Sequence, residues 1–152
     1  MSKVVTETLA AVTEFLTQKF PNCDVRRTYL PNVTIANLPV QAKPRISVSL
    51  YDRSIHQPTR SEEYENIVYV DVAVVKKIKR DDDPEIDSLV DIVGEIFEVF
   101  FQTKAICCEP YTYHFEEVEF DDARQVCFED FLSQGLFCGA MQLTVKTNRS
   151  RG

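Results

Sequence analysis

Apolar and β-branched positions are densest between residues 65 and 77, where Val68, Val70, Val72 and Val74 fall on one face of a predicted strand. The opposite face carries Ile67, Tyr69, Ala73 and Val75 with the single acid Asp71. It is not cleanly polar, so the pattern predicts protein against it too, from this chain or from another subunit. Asp83 and Pro84 then mark a helix start, with Asp capping a backbone N–H and Pro in the first helical position, where no N–H is needed. From there to Gln102, Ile86, Leu89, Val90, Val93, Phe97 and Phe100 recur at helical spacing, and Ile92, Ile96 and Val99 widen the stripe. Such a helix is buried over much of its circumference. Its remaining face is Asp87, Asp91, Glu95, Glu98 and Gln102.

Elsewhere the pattern is plainer. Val5, Leu9, Val12 and Leu16, flanked by Phe15 and Phe20, predict an amphipathic helix over residues 6–19 that Pro21 and Asn22 stop. Weak alternation predicts a strand over 24–30, and Pro31 and Pro39 bracket a loop over 32–38. Strict alternation over 45–51 predicts a strand with Ile46, Val48 and Leu50 inward. Residues 52–63, almost without apolar side chains, read as a splayed hairpin tip or as an arm reaching a neighbour. Tyr111, Tyr113 and Phe115 alternate as a strand and lead into an acidic run over 116–122. A short helical or irregular piece over 123–134 is ended by Gly135, and Phe137, Met141, Leu143 and Val145 predict a last strand to about residue 147. Helix, strands, helix, strands is an α+β order, a mainly antiparallel β-sheet with two principal helices packed on one face. The expected organisation is a single domain over 1–147 and a flexible polar tail over 148–152.

Composition narrows the function. In 152 residues, 44% are hydrophobic, enough for one domain with a real core. A net charge of -7 argues against broad binding to a phosphate backbone. The N-terminus lacks a signal-peptide pattern and no apolar run approaches a membrane span, so a product that is neither secreted nor membrane-embedded is expected. Five cysteines, with Cys107 and Cys108 adjacent, fit neither a disulfide framework nor a paired zinc knuckle, and reduced thiols are the simpler reading. Only four glycines are present, so there is no Gly-rich phosphate cradle and nucleotide binding is not expected. A Cys108–His114 nucleophile pair lacks any recognisable flanking signature. The sequence therefore predicts no enzyme, no cofactor, no metal site and no catalytic residue. Asp87, Asp91, Glu95 and Glu98 share one helix side and read either as a solubilising face or as a channel-facing stripe that keeps a passing polyanion from sticking.

Five stretches carry a resemblance: Arg27-Thr28-Tyr29-Leu30-Pro31; Pro44-Arg45-Ile46-Ser47-Val48; residues 65–77 ending in Val74-Val75-Lys76-Lys77; the helix from Glu85 to Phe101; and the closing strand from Phe137 to Lys146. In order and patterning they resemble small tail and neck proteins of tailed bacteriophages, above all the tail-terminator or tail-completion family that includes the lambda tail terminator. That resemblance implies an α+β virion protein, assembled in the host cytoplasm, that forms a homohexameric ring on the last ring of the tail tube. It would stop tube growth and present the surface for head joining. The implied partners are further copies of itself, the tail tube protein, a neck or connector protein, and a sheath protein where the tail is contractile; DNA passes through without specific binding, and no membrane is involved. A head-completion or connector ring on the portal side is the neighbouring reading. Readings from other classes are a small intracellular enzyme or metal-binding protein using Cys108, Cys127 and His114, and a monomeric host adaptor domain that binds partners by a strand edge. For a ring, the expected subunit contacts pair Arg53, His56 and Arg60 with Glu116, Glu117 or Asp121 of the next copy, with Tyr69 and Val75 as the apolar part.

Overall fold

The computed structural model describes residues 2–27, 43–56, 66–78, 83–109, 111–120, 132 and 135–149. Two helices, α1 (Ser2–Lys19) and α2 (Asp83–Gln102), accompany six strands: β1 (Asp24–Arg27), β2 (Arg45–His56), β3 (Asn66–Lys77), β4 (Ala105–Cys108), β5 (Tyr111–Phe120) and β6 (Leu136–Arg149). The strands form one sheet in the order β1-β2-β3-β6-β5-β4. Only the β1–β2 pair is parallel; the other pairs are antiparallel. This is the α+β, mainly antiparallel architecture that the alternation predicts.

The central ladder joins β3 to β6 without interruption from Asn66↔Thr147 to Lys77↔Leu136. Its helix-facing rows set Val68 beside Val145, Val70 beside Leu143 and Val72 beside Met141, all fully buried. Burying each such side chain contributes about 1.5–3 kcal/mol, so this ladder holds the fold. Ile46 and Val48 extend the same face across β2, and Tyr113 and Phe115 across β5. α1 covers β1, β2 and β3 through Val5, Leu9, Val12 and Leu16; α2 covers β3, β6 and β5 through Leu89, Val93, Ile96 and Phe100. The two helices meet the sheet at one aromatic cluster, where Phe15 lies 5.8 Å from Phe100 and 5.5 Å from Phe115. Phe97 stacks on Phe120 at 4.8 Å and pins α2 to the far end of β5. Lys76, at the foot of the ladder, reaches the first turns of α2, where its Nζ donates to Glu85 Oε1 at 2.7 Å. Gly135, with φ of 80°, opens β6 and accepts a bond from the Ile78 N–H; a Cβ there would stand 3.2 Å from the Ile78 carbonyl oxygen.

Several boundaries differ from the expected ones. α1 begins at Ser2, four residues before the predicted start. The strand expected over 24–30 is seen over Asp24–Arg27, and residues 28–30 lie outside the described residues, as do the loop expected over 32–38 and nearly all of the piece expected over 123–134. Of the hairpin tip or arm expected over 52–63, residues 57–63 lie outside the described residues and 52–56 are strand: β2 runs through a bulge after Leu50 and resumes pairing at Ile55↔Val68 and His56↔Ile67. The first five residues of the acidic run, 116–120, continue the strand, with Glu116 at a bulge and Glu117 opposite Thr144. Asn148 and Arg149 belong to β6 and not to a tail, since they pair with Thr112 and Tyr111.

Candidate assembly surface

The sheet borders are uneven. β1 pairs with β2 only over Arg45 to Val48, so residues 49–56, paired with β3 on their inner side, have no strand along their outer edge among the described residues. On the other border β4 pairs with β5 only over Tyr111 to His114, which leaves 116–120 similarly uncovered. Exposed strand edges carry unpaired N–H and C=O groups and readily accept another strand. The two borders also differ in charge. β1 presents Arg26 and Arg27, both exposed, with Asp24; the uncovered half of β5 presents Glu116, Glu117 and Glu119, all exposed. Arg26 keeps a local ion pair to Asp24 at 2.9 Å while its side chain stays 61% exposed.

The sheet face away from the helices is mixed. Tyr69 is half-buried there, beside Thr144. Val75, however, is only 3% exposed and packs with Leu136, against Ala73 and Cys138. It is therefore not the open contact residue expected of it, because the chain has already taken it out of water. Ser47, Ser49 and Ala140 are buried on the same face, and no described helix lies over them.

Of the predicted charge partners, Arg53 and His56 sit on β2 and Glu116 and Glu117 on β5, while Arg60 and Asp121 lie outside the described residues. β2 and β5 are three strand spacings apart within one copy, about 14 Å. Asp87, Asp91, Glu95 and Glu98 are all exposed along α2 on the side away from the sheet. Beside them Gly94 is exposed, and at the end of the helix Phe101 is the single exposed large apolar side chain among the described residues, at 73%.

Cys108 and His114 do not converge. Cys108 shares the helix-facing rows with Ile106 and Tyr111, whereas His114 occupies the opposite face and approaches Asn148 Oδ1 at 3.0 Å. Burial, with Glu14 and Cys107 adding to it, pushes the Cys108 thiol up, and burial with nearby Glu95 does the same to Cys23. Both thiols are thereby made poorer nucleophiles. Burial likewise pushes the Tyr113 phenol up to about 12, keeping it neutral. Cys127 lies outside the described residues, and among those described no three His, Cys, Asp or Glu side chains are grouped to hold a metal. No helix among them is long and apolar enough to cross a membrane.

Sequence reasoning missed β4, whose four residues are too few to show a period, and with it the unevenness of the β5 border. It also passed over Arg26, whose position matters only once β1 is known to be a border strand. Comparison with protein-family models and with curated proteins finds no match to this sequence.

Proposed function

We propose that this chain is a non-enzymatic structural protein of a tailed-phage virion, a tail terminator that forms a ring at the junction of tail and neck. The ring caps the tail tube and offers the surface to which the head joins. The observation that carries the reading is the pair of sheet borders, unlike in charge and partly uncovered among the described residues, because a head-to-tail interface between two different surfaces is what generates a ring when its rotation closes. An α+β domain with both helices on one sheet face supports it, as does the resemblance of the five sequence stretches to the terminator family. In such a ring the exposed acids of α2 face away from the sheet wall, where their charge would repel a passing polyanion.

The test is functional and needs no infection. Tail tube protein is polymerised in vitro with and without the purified chain, and tube lengths are measured by negative-stain imaging. The proposal expects growth to stop, with a ring-shaped density at one tube end. Unchanged tube lengths with bare ends would contradict it.

A further inference from the structure

We propose that β1 of one copy adds to the uncovered half of β5 of the next, so that the sheet runs continuously from copy to copy. This rests on the ring reading and names the partner surface, a second copy of this chain.

Direction agrees with such pairing. Following the ladder across the sheet, β1 runs with β2 and against β5, so border-to-border pairing of copies in the same orientation is antiparallel. Faces agree as well. If the helices of both copies stay on one side, Val25, which shares a row with Ile46, must sit opposite Val118 or Phe120, which share rows with Leu143 and Met141. The same constraint sets Arg26 opposite Glu117 or Glu119 on the other side. Every register that preserves the faces therefore sets apolar against apolar and Arg26 against an acid. A one-residue slip would reverse both matches.

Length and position also fit. β1 has four residues and the uncovered part of β5 five. β4 borders the opposite end of β5, so it lies beyond β1 in the shared column and does not collide with it. A stagger of two to four residues between copies is compatible with these matches, and closure of a sheet into a barrel requires such a stagger. The pairing replaces the expected contact of Arg53 and His56 with Glu116 and Glu117. In the continuous sheet β2 of one copy and β5 of the next stand two strand spacings apart, about 10 Å, with β1 between them.

Charged border strands also serve to keep sheets from joining, and the experiment separates the two roles. One full-length variant carries Arg26→Glu with Arg27→Glu, and a second carries Glu117→Arg with Glu119→Arg; all four positions are exposed, and circular dichroism checks folding. Each variant alone is expected to lose self-association by about tenfold or more in sedimentation, because acid then faces acid or base faces base. Mixed in equal amounts, they are expected to assemble again, since each β1 now meets a β5 of opposite charge. Rings of unaltered affinity in both single preparations would overturn the border pairing while leaving the ring reading in place. Stronger association on neutralising Arg26 and Arg27 to Gln would assign the charges to protection and overturn it too. A wild-type chain that stays monomeric under the same conditions would remove the ring reading itself.

Discussion

Thr147 lies fully buried between Asn66 and Tyr113 in the sheet, and its hydroxyl has no hydrogen-bond partner among the described residues. Thr8, equally buried, bonds back to the Val4 carbonyl at 2.6 Å and has no such cost. Replacing Thr147 with Val keeps the shape and removes the unpaired group, so Thr147→Val is expected to stabilise the chain by about 1 kcal/mol. In a domain of this size that raises the melting temperature by roughly 2–4 °C. A fall in melting temperature would show that the hydroxyl is satisfied. Burial of individual side chains was legible where it followed a period: Val68, Val70, Val72 and Val74 are all at zero exposure, as alternation requires. The burial of Val75 was not, because it depends on Leu136, which is far away in sequence and arrives beside it only through the β3–β6 register.

At the scale of elements, α2 combines a deeply buried stripe with an exposed acidic face that contains Gly94. A Cβ at Gly94 would meet nothing within 4 Å, and glycine inside a helix costs about 0.5–1 kcal/mol relative to alanine. Gly94→Ala should therefore stabilise the isolated chain by that amount in urea unfolding; a destabilised variant would mean that the helix is not regular there. α1, β3, α2 and the first half of β2 were readable because each is long enough for its apolar period to repeat. The second half of β2 and of β5 were not, since the register shifts at Arg53 and Glu116 interrupt the alternation while pairing resumes at Ile55 and Glu117. Those same half-strands form the borders that no described strand covers. Side-chain pattern fades where a sheet edge meets solvent, and there only the register reveals the strand.

At the scale of the whole fold, the described residues form a two-layer wall: one sheet, helices along one side, and borders that differ in charge and coverage. Its class was legible from the order of elements, and its acidic surfaces from composition. The complementarity of the borders was not, because β1 and β5 are separated by most of the chain and are brought to opposite sides of the sheet only by the strand order. Unlike borders on one chain make association directional, and closure into a ring leaves no border free. Sedimentation equilibrium of the purified wild-type chain, across micromolar concentrations, tests this most directly. The account predicts one closed species of about six chains of 17.5 kDa each, with no ladder of larger forms. A stable species of 17.5 kDa throughout that range would contradict it.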